Sequence, residues 1–544
     1  MSTRLSRYRT ASLVATIRTK GTVFFVHHRQ VMLNQLFAKK TLDNLVHEMA
    51  GEHRLHRALG PLALTAMGVG AIIGAGIFVL VGKAAHHTAG PALMLSFVVA
   101  GVACVFAALC YAEFASMAPV AGSAYTYAYM TLGELFAWII GWDLVLEYAV
   151  GAATVAHGWS SYLRDLLKAN QIELPLLIRE APIKLDDAGH YTTTGSVLDG
   201  LALAVVVVMT TILVLGIRES ARFNATMVVL KVAIVLFVIC VGSWWIDTAN
   251  WHPFAPYGYS GLSFFGHTIL GQEGELGKPV GMLAGASIIF FAYIGFDAIS
   301  TQAEEARNPK RDLPIGIIAS LLICTVLYIA MAAVITGMVR YDEIDVDAPV
   351  SDAFGKIGLD WAQSMIAVGA VAGITSVLLV MMLSQPRVLL AMARDGLLPS
   401  GFFAAIHPRF KTPWKSTILT GIVVGAMGSL LPIDILSELV NIGTLLAFAI
   451  VCAAVMVMRK TDPDAPRPFR APLVPLVPVM GILFCLVLMF SLPWENWLRL
   501  ALWLAVGLVI YFSYGRFHSR LRHQLTHEIA THGVSPAGMP VDEP

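Results

Sequence analysis

Charge is what this sequence has least of. Only 13% of its 544 residues are Asp, Glu, Lys or Arg, whereas a soluble chain carries about a quarter. So few charges cannot cover the surface of a water-soluble body of this length. Cysteine is also scarce. All six (Cys104, Cys110, Cys240, Cys324, Cys452, Cys485) fall inside apolar runs and none forms a CxxC pair, which excludes a disulfide framework and a zinc cluster. No metal-ligand cluster, nucleophile elbow or P-loop is present, so an enzyme is not expected and neither is a metal or other cofactor. The net charge of +1 gives no basic signature for nucleic acid. What remains is apolar. Hydrophobic residues make up 57% of the chain and mean hydropathy is +0.71, so the expected solvent for most of it is the lipid bilayer.

A membrane helix needs about 20 mostly apolar residues, and twelve such segments are legible. They are Leu62–Ala85, Ala92–Met117, Leu135–Leu163, Val197–Gly216, Ala225–Trp245, Gly281–Thr301, Pro314–Val339, Trp361–Met392, Trp414–Leu431, Ile435–Met458, Leu473–Ser491 and Trp494–Tyr514. Of the 37 Lys and Arg residues, 27 fall on the face that carries both chain ends. The positive-inside rule then predicts both termini in the cytoplasm of a multi-pass cell-membrane protein. Residues 1–31 are basic and lack acids. A tail and a translation start at Met32 are equally compatible with them. Leu42, Leu45, Val46 and Met49 have the spacing of an amphipathic helix lying along the membrane. The expected organisation is a cytoplasmic N-terminal segment (1–61), spans one to five (62–245), spans six to ten (281–458), two more spans (473–514) and a cytoplasmic tail (515–544).

Two spans are unusual. The first contains GVGAIIGAGIFVLVG, with Gly68, Gly70, Gly74, Gly76 and Gly82, and the sixth contains GMLAGASIIFFAYIGFDAIST, with Gly281, Gly285 and Gly295. Each glycine weakens a helix by about 1 kcal/mol relative to alanine. An interruption would leave peptide groups bare, which lipid does not tolerate unless protein, ion, substrate or water satisfies them. Interruptions at matching places in two halves point to a transporter's central site. Spans one and six each open a set of five, which predicts an all-α membrane protein of twelve transmembrane helices: a five-plus-five inverted repeat (LeuT-like) with two additional helices. The alternative is that the glycines serve close helix packing, since Gly70 and Gly74 have small-xxx-small spacing.

The first-span run, YAEFASMAPVAGSAYTYAY (Tyr111–Tyr129) and FFAYIGFDAISTQAEEARNPKRDLPIGI (Phe290–Ile317) resemble the amino acid–polyamine–organocation superfamily. Within it they are most similar to the cationic amino acid transporter family, in its bacterial proton-coupled form. The resemblance runs from about Met32 to the last span.

An α-amino acid presents a carboxylate and an ammonium. A half-helix beginning near Gly76 offers free N–H groups and positive partial charge to the carboxylate, with Gly74, Ala75 and Gly76 allowing close approach. The ammonium needs carbonyls left free where helices unwind: Ile73 in the first span, and Phe291, Ala292 and Ile294 in the sixth. The resemblance implies the same positions. For Phe291 and Tyr293 an aromatic gate competes with packing, and for Tyr293 packing is favoured.

Ionisable groups at membrane depth are rare and usually functional. Lys231 lies in MVVLKVAIVLF, about ten residues and 15 Å of rise beyond Arg222, too deep to snorkel fully. The resemblance implies that Lys231 is a proton-coupling amine. It would donate to carbonyls near Gly70–Ile73, with Thr375 and Ser376 of the eighth span as possible further partners. The competing reading is a structural ion pair, with Glu147 the candidate partner. Asp143 and Glu147 share a helix face, and Glu147 and Asp297 are further candidates for proton coupling, or equally for structural pairing. His157 reads as a satisfied interior histidine. Glu113 reads as a solvated span end, with an inner-gate role as the alternative. Asp312 is expected to cap the seventh span, with Pro314 in its first turn.

The resulting expectation is a secondary active permease that carries L-amino acids with protons by alternating access. Its partners would be a small amino acid and the lipid bilayer. The alternatives are an exchanger for cationic amino acids or polyamines, and, from another class, a transporter-like nutrient sensor. The absence of an acid in the two broken stretches before Asp297 points toward neutral side chains.

Overall fold

The computed structural model describes residues 36–40, 59–118, 123–185, 191–216, 220–274, 278–346 and 348–524. The amphipathic segment expected around Leu42–Met49 and the far C-terminal tail lie outside the described residues. The second to fifth spans are Leu93–Met117, Glu134–Ala169, Gly200–Leu215 and Ser220–Gly242. The seventh to tenth are Pro309–Met338, Asp360–Arg394, Trp414–Leu430 and Ile433–Thr461. The last two are Leu476–Ser491 and Trp494–Ile510. The first and sixth come in pieces. Pro61–Ile72 is followed by a run of π- and α-helical turns from Gly76 to Ala89. Met282–Ile289 gives way to 3₁₀ turns at Phe290–Tyr293 and Asp297–Glu305. The strands are short antiparallel pairs in the loops before the fourth and sixth spans.

All twelve expected spans are present. Eight helical stretches among the described residues are long and apolar enough to cross a bilayer, and Pro61–Ile72, Gly200–Leu215 and Leu476–Ser491 are shorter apolar helices. Two of these short pieces have a local cause. The first span stops at its glycine break. The fourth begins where Asp199 accepts the Ala202 N–H (2.9 Å) and ends at Gly216, with φ +79°. Asp199 is itself held by the Ser160 hydroxyl (2.6 Å), so a third-span residue sets the start of the fourth.

Packing follows the five-plus-five order. The second span lies against the seventh, the third against the eighth and the fourth against the ninth, and these are among the most extensive helix contacts. The two broken spans meet each other at the centre. Spans one to four therefore pack on their counterparts five spans away, as expected of two interlocked repeats related by an axis in the membrane plane, while the fifth lies against the first, seventh and eighth. The eleventh and twelfth spans lie outside this core, against the tenth and third.

Both described chain ends reach one face. There Lys40 pairs with Asp395 (2.8 Å), which also accepts the Tyr125 hydroxyl (2.6 Å), while its carbonyl takes the Arg520 N–H (3.0 Å). Glu134 accepts hydroxyls from Tyr129 (3.0 Å), Tyr511 (2.9 Å) and Ser519. The ends of the third and eighth spans on this face are thus clasped by both described ends of the chain. Gly133 is needed in this clasp. Its φ is +101°, and a Cβ there would lie 2.6 Å from the Phe37 backbone.

Two sequence expectations need correction. Glu113 is no solvated span end. It is buried, its carboxylate accepts two hydrogen bonds from Arg459 (2.9 and 2.7 Å) and the Ala471 N–H (2.8 Å), and Arg467 stands 3.4 Å away. It bolts the second span to the tenth and to the chain that leads into the eleventh. The seventh helix starts at Pro309, earlier than expected. Asp312 reaches back to the Asn308 N–H (3.1 Å), which leaves Pro314 inside the helix. Breaking a buried ion pair by removing one partner costs about 3–5 kcal/mol. Glu113→Ala should therefore lower the thermal unfolding midpoint of the detergent-solubilised protein sharply, whereas Asp352→Ala, which breaks a part-exposed i,i+4 pair with Lys356, should move it little.

Candidate functional site at the two helix breaks

The first break begins where Ile73 turns to an extended backbone (φ −71°, ψ 100°). Its N–H still reaches back to Val69 (3.0 Å), but the N–H groups of Gly74 and Ala75 donate to no carbonyl among the described residues. The helix resumes at Gly76 with no side-chain cap. The sixth span unwinds in a comparable way. After the 3₁₀ turn, Ile294 is extended (φ −62°, ψ 135°) and Gly295 has φ +120°, a conformation that only glycine takes readily.

The two breaks press on each other. A Cβ at Gly76 would sit 3.0 Å from the Ala292 nitrogen and nearer still to its Cα, and one at Gly295 would sit 2.7 Å from the Ala71 carbonyl oxygen. These close approaches explain two of the glycines and bring the expected residues together. Ile73, Gly74, Ala75, Gly76, Phe291, Ala292 and Ile294 are all buried around this contact. Some of the carbonyls expected to be free already accept one bond. Ile73 takes the Lys231 amine (3.1 Å), Phe291 takes the Ile294 N–H (3.2 Å) and Ala292 takes the Tyr328 hydroxyl (2.9 Å). A carbonyl has two lone pairs, so each keeps one acceptor position for a ligand.

Tyr328 was not singled out from the sequence. Its hydroxyl lies 2.9 Å from the Ala292 oxygen and 2.9 Å from that of Ile72, so a single proton is shared between the two broken spans. The available signal was a hydroxyl at mid-span in the run CTVLYIAMA. Tyr293, for which packing was favoured, is fully buried and donates to the Phe97 carbonyl (2.7 Å), with its ring edge-on to Tyr328.

Lys231 reaches the first break from the fifth span. It is completely buried, and its amine donates to the carbonyls of Gly70 and Ile73, as expected. The expected eighth-span partners are not bonded to it. Thr375 donates to Val371 (2.7 Å) and accepts from Trp159 (2.8 Å), while Ser376 donates to Gly373 (2.9 Å). Gly373 supplies the eighth-span contact, because its missing side chain makes room for the lysine stem. No carboxylate pairs with Lys231 among the described residues, so the ion pair weighed with Glu147 is absent.

Glu147 belongs to a separate group below the breaks. Asp143, Glu147 and Asp297 are buried and interact electrostatically, and Tyr148 donates to Asp297 (3.0 Å). The Asp143 carboxyl oxygens and one oxygen of Asp297 have no hydrogen-bond partner among the described residues, and Glu147 faces the Thr444 hydroxyl. Above the breaks, a cavity of about 800 Å³ opens toward the face away from the chain ends, lined by Leu80, Lys83, His157, Ser287, Ile288 and Asn441 among others. His157 therefore lines this cavity. An ion pair between Lys83 and Asp434 joins the first span to the tenth beside it.

The shared Tyr328 hydrogen bond gives a direct expectation. Tyr328→Phe removes it at a cost of about 1 kcal/mol. Substrate affinity should fall several-fold in equilibrium binding to the purified protein, with little change in thermal stability.

The comparisons with known proteins agree with this geometry. The amino acid permease family model matches residues 59–512. The branched-chain amino acid permease BcaP of Bacillus subtilis (strain 168) is 46% identical over 491 residues, covering 90% of this chain and 100% of that one. The methylthioribose transporter of the same organism is 43% identical over 489 residues, with coverage of 90% and 100%. The vacuolar cationic amino acid transporter 4 of Arabidopsis thaliana is 40% identical over 437 residues, covering 79% of this chain and 68% of that one. Paired helix breaks within twelve apolar spans and a family match over most of the length lead to one conclusion: the chain belongs to the amino acid permease family of the amino acid–polyamine–organocation superfamily.

Proposed function

We propose that this permease is a proton-coupled symporter of neutral L-α-amino acids, with both termini in the cytoplasm and the 800 Å³ cavity opening to the outside of the cell membrane. The observation that carries this reading is the bonding of the Lys231 amine to Gly70 and Ile73, the peptide segment at which the first span breaks. The substrate carboxylate would take the free N–H groups of Gly74 and Ala75 and the helix start at Gly76. Its ammonium would take the remaining acceptor positions of Ile73, Phe291, Ala292 and Ile294. Proton and substrate thus act on the same few peptide groups, which is the differential contact that coupling requires.

In the proposed cycle a protonated Lys231 holds Gly70 and Ile73 by charge-assisted hydrogen bonds, and this keeps the break shaped for the zwitterion. Loss of the proton weakens those bonds and lets the inner half of the first span move away, opening the path inward. Asp297 and Glu147, placed below the breaks, would pass the proton onward. A membrane potential of ~150 mV acting on one charge supplies ~3.5 kcal/mol, enough for roughly 300-fold accumulation. The apolar environment of the breaks and the similarity to a branched-chain amino acid permease support neutral side chains.

A second reading, exchange of cationic amino acids, draws on the buried carboxyls of Asp143, Glu147 and Asp297 and on relatives named cationic amino acid transporters. Symport and exchange separate cleanly in proteoliposomes. Symport fills empty vesicles when the outside is made acidic, and exchange stalls without internal substrate. Under the proposal, lowering the external pH at constant internal pH raises uptake. Lys231→Met abolishes proton-driven accumulation while keeping measurable substrate binding. Unchanged pH-driven accumulation in that variant rejects the assignment, and competition by all twenty amino acids against a labelled substrate reads the side-chain preference.

A further inference from the structure

One face of the tenth span is not used by the account above. Asp434, Ser437, Glu438 and Asn441 lie at positions 0, +3, +4 and +7 of one helix, and all four line the outer cavity. They descend from its mouth toward the breaks over about 10 Å of rise. The upper carboxylates already have partners on other elements. Asp434 pairs with Lys83, and Glu438 accepts from Asn496 (3.1 Å) and faces Lys278 (3.5 Å).

Asn441 at the bottom differs. Its Nδ2 donates to the Ser287 carbonyl (2.9 Å). A carbonyl can only accept, so this contact settles which way the amide points. Oδ1 is left with no hydrogen-bond partner among the described residues, on a residue 1% exposed. The Ser287 hydroxyl is turned toward the Leu283 carbonyl (3.4 Å). An unmade bond on a buried amide oxygen is costly, and here the residue lines a cavity, with its Ser287 contact one helical turn above Phe290.

We propose that Asn441 Oδ1 is an outer subsite for the substrate's ammonium group, filled before the amino acid reaches the broken spans. This rests on the reading of the chain as an amino acid transporter. The ligand class follows from the chemistry. The vacant group is an acceptor, the groups above it on the same face are carboxylates, and an ammonium brings three donors. The ammonium passes down a line of acceptors, from the carboxylates of Asp434 and Glu438 to the amide of Asn441 and then to the carbonyls at the sixth-span break. The substrate carboxylate meets Lys83, which lines the same cavity from the first span.

The test uses full-length protein in proteoliposomes, with labelled L-leucine uptake challenged from the outer side by two fragments of leucine. Isopentylamine keeps the ammonium and lacks the carboxylate, and 4-methylpentanoate keeps the carboxylate and lacks the ammonium. Asn441→Leu should weaken inhibition by the amine about tenfold and leave inhibition by the carboxylate unchanged. Asn441→Asp, which puts a charged oxygen acceptor there, should tighten inhibition by the amine relative to wild type. Amine inhibition unchanged in both variants overturns the proposal, as does an equal loss for both fragments without rescue by Asn441→Asp. If Asn441→Leu does not fold, Asn441→Asp decides alone: tighter amine inhibition supports the subsite and an unchanged value overturns it. Wild-type uptake of leucine is the control. Its failure overturns the neutral-substrate reading and the subsite with it, whereas the variant results in a transporting wild type overturn the subsite alone.

Discussion

Peptide groups cannot be left bare in hydrocarbon, and the centre of this molecule is arranged around that constraint. Two helices unwind at mid-depth, and the contact of Gly76 with Ala292 and of Gly295 with Ala71 turns the open backbone of each toward the other and away from lipid. Lys231 and Tyr328 then satisfy part of it from the fifth and seventh spans. What they leave unsatisfied is a short strip of N–H groups beside a short strip of carbonyls. That strip has the polarity of a zwitterion, and the rest of the structure holds its two sides in register.

Charges at different depths are treated differently. At the face carrying the chain ends, Glu113, Glu134 and Asp395 are all engaged by donors, with arginines on Glu113, hydroxyls on Glu134 and both a lysine and a hydroxyl on Asp395. Such saturated carboxylates serve as fasteners, since each joins elements far apart in sequence. At mid-depth, Lys231 has carbonyls but no counter-ion among the described residues, and the Asp143 carboxyl has no donor among them. Keeping such groups inside a membrane protein is unfavourable unless a mobile charge uses them. The contrast between satisfied ends and an unsatisfied middle separates the parts that hold the fold from the parts that the proposed cycle uses.

The third and eighth spans, clasped at one end by the segments around Lys40 and Arg520, form a long pair beside the broken spans. The opening piece of the first span packs extensively on the seventh, whereas the two breaks meet through close approaches at Gly76 and Gly295. Lys231 crosses from the fifth span to the first, so a change at its amine is felt at the break without any intermediate chain of residues.

The class of molecule, the twelve spans, both broken helices and the depth of Lys231 were legible in the sequence, because each depends on local composition: apolar run length, glycine density, one charge among aliphatic neighbours. Ile73, Gly74, Phe291 and Ala292 were legible for the same reason, since a helix break is a local event. The partners were not. The sequence placed Thr375 and Ser376 within reach of Lys231, but helix rotation turns them away and brings Gly373 instead. It placed Glu113 in water, but folding sets two arginines more than 300 positions away beside it. Tyr328 bridging two breaks, Asn441 pinned on Ser287 and the gathering of Asp143, Glu147 and Asp297 all depend on which face of one helix meets which face of another. Run length and residue type are properties of the chain alone, so sequence determined where the helices are and where they fail. Hydrogen-bond partners depend on distances between segments remote in sequence, and only the packed tertiary structure decided those.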